Sequence, residues 1–163
     1  MNLREYTYKI ENVLMDEELL RLLYYMPKNV LDNPLDTAKP NILDKPTKDK
    51  WAIFNDKIMT ASNFNGFDTS PICRLFYYAG NGRSAKDNYL FSKQQFHFDV
   101  FVHQSIENTD KRLEWICDRV NELVFNKSIA GLGKTLFIQR HPVSAPVNYV
   151  GYRLIYEFCH ENY

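Results

Sequence analysis

The segment Gln94–His103 alternates apolar and polar side chains with a period of two. One side of an extended chain would carry Phe96, Phe98, Val100 and Val102. The opposite side would carry Gln95, His97, Asp99 and His103, together with the apolar Phe101. This pattern predicts a β-strand with one face in a hydrophobic core and the other face towards solvent or a neighbouring subunit.

The best amphipathic helix of the chain is predicted directly after this strand. It would begin at Thr109 or Asp110, which are suitable N-caps, and end near Asn126. Its apolar face would carry Leu113, Ile116, Cys117, Val120, Leu123 and Val124. A strand followed by a helix that covers it would form the centre of the domain.

The N-terminal part is predicted to be helical and the next part irregular. Residues 2–26 fit two short helices, or one helix with a break near Met15 and Asp16. Residues 27–49 contain four prolines, so they cannot form a regular helix or a central strand. We expect an extended arm or a functional loop there.

Further strands are predicted on both sides of the central one. Residues 50–60, 72–78, 134–140 and 149–160 fit strands. A long, flexible loop is expected over residues 79–93, with Arg83 and Lys86 at its tip. Together these elements predict one α+β domain over residues 1–163, with helices packed on one face of a mostly antiparallel sheet.

Composition limits the range of functions. Twenty basic and twenty acidic residues cancel, whereas a nucleic-acid-binding domain usually has a basic excess. A net charge of zero also removes electrostatic repulsion between copies, which favours self-association. The three cysteines are widely spaced and form no zinc or disulfide pattern. No stretch reaches the ~18 apolar residues of a membrane span, so synthesis in the cytosol is expected.

No catalytic residue, cofactor site or metal site is predicted, and the chain is not expected to be an enzyme. The segment Gly131–Thr135 ends like a phosphate-binding loop, but it lacks the first glycine and precedes a strand. We interpret its glycines as a helix C-cap. His97 and Asp99 have a spacing that metals use, whereas His103 lies ~13 Å beyond Asp99 along the strand. A covered or solvated polar face is the preferred interpretation.

The order of features resembles the tail terminator (tail completion) proteins of long-tailed bacteriophages. The similarity covers most of the chain and lies in pattern and order. It is carried by the N-terminal helix pair ending E-E-L-L-R-L-L, the strand F-H-F-D-V-F-V-H, the helix K-R-L-E-W-I-C-D-R-V-N-E-L-V-F and the closing strand Y-V-G-Y-R-L-I-Y-E-F. The arm over 27–49 and the connection over 79–93 depart from that family or elaborate on it.

The resemblance implies a virion protein of the tail or neck that forms a ring, with a hexamer as the expected size. Its partners would be the tail tube protein and the head connector or head-closure protein, with DNA only passing through the channel. Candidate subunit-interface residues are Gln95, His97, Asp99, Phe101, Arg83 and Lys86. Alternatives are a head-closure or head–tail adaptor protein, a small ligand- or metal-binding domain using the polar strand face, or a nucleic-acid-binding protein.

Overall fold

A computed structural model describes residues 2–86 and 88–161. Its helices are α1 (Leu3–Leu14), α2 (Glu17–Tyr24), α3 (Thr47–Lys57), α4 (Gln104–Asp110) and α5 (Arg112–Val124), with a short 3-10 helix at Ile42–Asp44. Its strands are β1 (Ile58–Met59), β2 (Cys73–Ala85), β3 (Asn88–His103), β4 (Leu132–Pro142) and β5 (Tyr149–Glu161).

The strands form one sheet in the order β1-β2-β3-β5-β4. Every neighbouring pair is antiparallel except β1 and β2, which are parallel. The helices pack on one face of this sheet. The predicted α+β class with a mostly antiparallel sheet is therefore confirmed.

The alternation in β3 sets the position of the core. Its even-numbered apolar residues, Phe96, Phe98, Val100 and Val102, are all fully buried. They pack with the apolar sides of α1, α2 and α5 and with Leu154, Tyr156 and Phe158 of β5. Removing these side chains from water stabilises the fold by about 25 cal/mol per Å² of apolar surface.

A buried arginine joins the helices. Arg112 at the start of α5 is 0% exposed, and its guanidinium donates to the carbonyl oxygens of Leu22 and Tyr25 at 2.6 Å each. It also donates to the Asp110 carboxylate at 2.6 Å. The arginine thus satisfies free carbonyls at the end of α2 while its charge is neutralised by Asp110.

The predictions for residues 50–60 and for residues 79–93 are wrong. Residues 50–60 form most of α3 and the two-residue β1, because Trp51, Phe54 and Ile58 recur at helical spacing and Phe54 and Ile58 are buried. Residues 79–93 form the paired ends of β2 and β3 rather than a loop; position 87 lies outside the described residues. Register shifts after Ala79 and after Ser84 interrupt the pairing of the two strands. The alternation of apolar and polar residues is therefore broken there, and the sequence pattern did not indicate a hairpin.

Residues 27–49 do not form an extended arm, and residues 47–49 begin α3. Residues 27–46 make successive turns against α2, where the Tyr25 hydroxyl donates to the Pro40 carbonyl at 2.6 Å. Arg21 donates to the carbonyl of Asp36 at 3.1 Å, and Ile42 is fully buried. Asparagine and aspartate side chains accept from the backbone two residues on, which fixes each turn locally.

The predicted helix over 109–126 is divided. Lys111 has a left-handed backbone with φ of 58°, which separates α4 from α5. The α5 N-terminus is capped by the Glu107 carboxylate, which accepts from the Leu113 N–H at 2.7 Å, and not by Thr109 or Asp110. Within the two described ranges, none of the helices has the length and apolar character needed to cross a bilayer.

Candidate assembly surface

The polar row of β3 lies on the sheet face opposite the helices, as predicted, but most of it is not free. Gln95 and His97 are half-buried, whereas Asp99 and Phe101 are each only 3% exposed. Contacts inside the subunit account for this burial. The expectation that all four side chains face solvent or a neighbour is therefore wrong for Asp99 and Phe101.

Asp99 is held by two side chains from the adjacent strands. Arg153 of β5 donates to its two carboxylate oxygens at 2.7 and 2.8 Å, and the Tyr78 hydroxyl of β2 donates at 2.7 Å. Burial and the hydrogen bond to the Asp99 carboxylate raise the pKa of Tyr78 to about 12. The three groups satisfy one another, so this cluster stabilises the sheet.

The His97 ring packs against Gly80 of the neighbouring strand β2. A Cβ atom on Gly80 would lie 2.3 Å from the His97 Nε2 atom, so glycine leaves the space that the ring occupies. The buried Nε2 atom has no hydrogen-bond partner among the described residues. Burial lowers the pKa of His97, with a further contribution from the nearby Arg153 charge.

Phe101 belongs to a second, smaller core. It packs with Phe67, Phe76 and Tyr149 beneath the loop that follows β1. The Phe64 ring closes this cluster from the same loop, 5.3 Å from the Phe101 ring. The apolar residue in the polar row is thus explained by a lid within the subunit.

The remaining candidates lie near the β2–β3 hairpin. Glu157 of β5, 4% exposed, pairs with Arg83 at 3.2 Å and with Lys93 at 3.1 Å. Arg83 keeps 65% of its side chain exposed, and Lys86 is exposed in the turn. The structure brings Arg83 to the Glu157 carboxylate, but it does not bring Lys86 into the polar row.

Two of the three cysteines, Cys73 and Cys117, are poor nucleophiles. Cys73 and Cys117 are buried, which raises the pKa of each thiol to about 12. No group of three or more histidine, cysteine, aspartate or glutamate side chains within residues 2–86 and 88–161 is arranged to hold a metal ion.

The segment Gly131–Thr135 forms the start of β4, from Leu132 onwards, and Gly131 and Gly133 both have positive φ. It is not the helix C-cap that we predicted, because α5 ends at Val124 and Asn126 takes the left-handed conformation.

Three consecutive exposed apolar residues lie on β4, at one edge of the sheet. Leu136, Phe137 and Ile138 are consecutive and 52%, 43% and 41% exposed. An edge strand with this composition is a typical site for pairing with another chain. The sequence pattern placed the strand correctly but did not show that it lies at the edge.

The first part of β4 is bonded on its outer side to the subunit's own chain. The Thr135 N–H donates to the Lys127 carbonyl, and the Thr135 carbonyl accepts from the Asn126 N–H. No comparable contact of residues 136–142 on the outer side is found in the described part of the chain. The open edge therefore begins at the exposed apolar residues.

A cleft of about 650 Å³ borders this edge on the helix side. Its walls are formed by α5, the residues after it, β4 and β5, with the lining residues Cys117, Asp118, Asn121, Phe125, Phe137, Arg140 and Leu154. Phe125 is itself 45% exposed. We define the β4 edge as residues 136–142.

A second open edge lies on the other side of the sheet. β1 pairs with β2 only at Leu75 and Phe76, so the outer side of β2 beyond Phe76 has no neighbouring strand in the described residues. A groove of about 790 Å³ starts there, with Glu11, Phe54, Ile58, Met59, Phe64 and Tyr77 among its lining residues. The Glu11 carboxylate accepts from the Tyr77 hydroxyl at 3.2 Å. We call this space the β2 groove.

The fold and its surface define a small α+β protein with two open sheet edges and one apolar edge strand. Comparison with known proteins adds the family. The family model YomW matches residues 16–158, and the chain belongs to that family.

The chain is similar to the SPbeta prophage-derived uncharacterized protein YomW of Bacillus subtilis (strain 168). The two are 32% identical over 167 residues, which cover 97% of this chain and 96% of that protein. The phage origin implied by the resemblance to tail terminators is thereby confirmed. The tail-terminator role itself stays a prediction.

Proposed function

We propose that this chain is a structural subunit of a phage neck, and that it forms the ring that ends the tail tube and joins the tail to the head connector. The observation that carries the proposal is the apolar β4 edge, because a phage-derived protein with such an edge is suited to association with other chains. The cluster of Asp99, Arg153 and Tyr78 favours a structural role over a catalytic one, since its polar groups already satisfy one another.

The proposed mechanism needs no chemistry. Subunits that meet head to tail close into a ring when the rotation between neighbours divides a full turn. One face of such a ring would fit the end of the tube, and the opposite face would not accept another tube subunit. Tube growth would then stop, and the second face would be available to the head connector. A hexamer is the size that the resemblance favours.

Phage particles assembled without this chain would test the proposal. A terminator is required to stop polymerisation, so we expect tubes longer than normal and few joined particles by electron microscopy. Tails of normal length that fail to attach to heads would instead support a head-closure or head–tail adaptor protein. Normal, infectious particles in normal numbers would overturn any neck role. Supplying the chain from a plasmid should restore tail length.

A further inference from the structure

We propose that the β4 edge of one subunit pairs with the outer edge of β2 in the next subunit and fills its β2 groove, so that the sheets of the ring form one continuous belt. This inference rests on the proposed function, because it names the contact by which the ring would close. The occupant of each groove is a second copy of this chain.

The first argument is the position of the two open edges. β4 and the β1–β2 side are the opposite edges of the same sheet, and each has an unpaired stretch in the described residues. An interface that joins two different edges is heterologous, and such contacts give rings when they close. Unpaired backbone N–H and C=O groups along both stretches would be satisfied by strand pairing.

The second argument is strand direction. β2, β3, β5 and β4 alternate in direction, so β4 runs opposite to β2. A rotation about an axis roughly parallel to the strands leaves these directions unchanged. The β4 edge of one copy therefore arrives antiparallel to β2 of the next, the arrangement found in the rest of the sheet.

The third argument is complementarity of the two surfaces. β4 carries Lys134 and Arg140 and no carboxylate, and its apolar residues are exposed. Glu11 is the single charged residue among the lining residues of the β2 groove. The rest of the lining is mixed, with the apolar Phe54, Ile58, Met59, Ala61 and Phe64, the polar Asn55, Thr60, Ser62, Asn63 and Asn65, and Tyr77. A basic strand with exposed apolar residues thus meets a groove of mixed lining that holds one acidic group.

Pairing of β4 with its own copy fits less well. In an antiparallel pair of two open stretches, centred on Gln139, the Arg140 side chains of the two copies would be diagonal neighbours on one face, where two long cations repel each other. Such a pair would also leave the β2 groove empty. It would give a closed dimer, whereas the β4–β2 contact allows further subunits to add.

The test uses two variants of the full chain and measures mass by light scattering after size exclusion. Ile138→Lys places a charge on the β4 edge, and Glu11→Arg reverses the charge of the β2 groove. We expect each to weaken self-association at least tenfold. Leu31→Lys is the matched control, because Leu31 is an apolar residue with 90% exposure outside both surfaces; it should assemble like the unaltered protein. Circular dichroism and thermal unfolding would verify that all variants fold.

Mixing the variants distinguishes the two kinds of contact. Ile138→Lys retains an intact groove and Glu11→Arg an intact β4 edge, so an equimolar mixture should form two-subunit complexes that neither variant forms alone. Combining Arg140→Glu with Glu11→Arg in one chain should restore assembly that each change alone impairs. Complementation and charge-swap rescue together would support the β4–β2 contact.

Three results would overturn the inference. Assembly unaffected by both variants would place the ring contact elsewhere, although the proposed function could still hold. A dimer that is disrupted by Ile138→Lys but indifferent to Glu11→Arg would show β4 pairing with itself. An unaltered chain that stays monomeric at every concentration would exclude this self-contact, while the tail-length assay would decide the neck role separately.

Discussion

The guanidinium of Arg153 holds both oxygens of the Asp99 carboxylate, at 2.7 and 2.8 Å, on the sheet face opposite the helices. The sequence pattern had indicated Asp99 as a surface residue or a possible metal ligand, but its carboxylate is bound by Arg153. Asp99 is nearly inaccessible, whereas the Arg153 side chain remains 29% exposed. The carboxylate is therefore a structural group, and its loss should affect stability.

Arg153→Ala should destabilise the subunit, because it leaves a buried carboxylate without its cation. Truncating one partner of a fully buried pair costs about 3–5 kcal/mol, and the partial exposure of Arg153 reduces the expected loss to about 2–3 kcal/mol. Urea unfolding followed by circular dichroism would measure it. Asp99→Asn in the Arg153→Ala background should recover part of the loss, since no buried charge then remains. A loss below ~0.5 kcal/mol would contradict this account.

Arg112→Met should be costly for a different reason. The change removes the donors to the carbonyls of Leu22 and Tyr25 and leaves the Asp110 carboxylate, 8% exposed, without a cation. We expect a loss of about 3–5 kcal/mol in the free energy of unfolding. Lys9→Ala is the control, because the Lys9–Glu5 pair is exposed on α1. It should change stability by no more than ~0.5 kcal/mol.

Phe101→Asp should prevent folding. The ring lies at 3% exposure among Phe67, Phe76 and Tyr149, and a carboxylate cannot be solvated there. An interface residue would behave differently, since its substitution would leave a folded monomer that fails to assemble. Phe101→Leu should fold with reduced stability, which circular dichroism and thermal unfolding would show. A well-folded Phe101→Asp monomer would restore the interface interpretation of this residue.

The burial of Phe101 also shows what the sequence pattern could not predict. Alternation within 94–103 correctly predicted which residues of β3 face the helices, because that property depends only on neighbours along one strand. Phe101 is covered by Phe64 and Phe67, which lie more than thirty positions earlier in the chain. A pattern of neighbouring residues cannot indicate contacts over that distance in sequence.

The β4 edge illustrates the same limit for the candidate site. Residues 134–140 were predicted to form a strand, which the structure confirms with slightly wider bounds. The position of a strand within a sheet depends on the pairing of all the other strands, so the sequence could not show that β4 lies at the edge. Apolar residues such as Phe137 and Ile138 were consequently not recognised as surface.

The Glu107 carboxyl should make stability depend on pH. Burial, together with a hydrogen bond shared with Glu114, raises the pKa of Glu107 to about 7, whereas the same hydrogen bond lowers the pKa of Glu114. At pH values between 4.5, the ordinary pKa of a glutamate, and about 7, Glu107 holds a proton in the folded state that it loses on unfolding. The bound proton stabilises the folded state. This stabilisation is fully present below pH 4.5 and is lost as the pH rises through 7.

Glu107→Gln should remove that dependence, because the amide resembles the protonated carboxyl at every pH. Urea unfolding between pH 5 and 8 should show the unaltered protein losing stability relative to the Glu107→Gln variant as pH rises. Asp49→Asn, at an exposed position on α3, is the control and should follow the unaltered protein. Parallel curves for Glu107→Gln and the unaltered protein would contradict the assignment.

Gly80→Ala should destabilise the subunit through one identifiable contact. The added Cβ would lie 2.3 Å from the His97 Nε2 atom, so the ring must leave its position beside Tyr78. Overpacking of this kind costs about 1–3 kcal/mol. In the His97→Ala background the ring is absent, and Gly80→Ala should then cost less. Urea unfolding of the two single variants and the double variant would give the coupling energy, which we expect at about 0.5–3 kcal/mol. An equal cost of Gly80→Ala in both backgrounds would mean that the glycine is required by the backbone and not by the histidine above it.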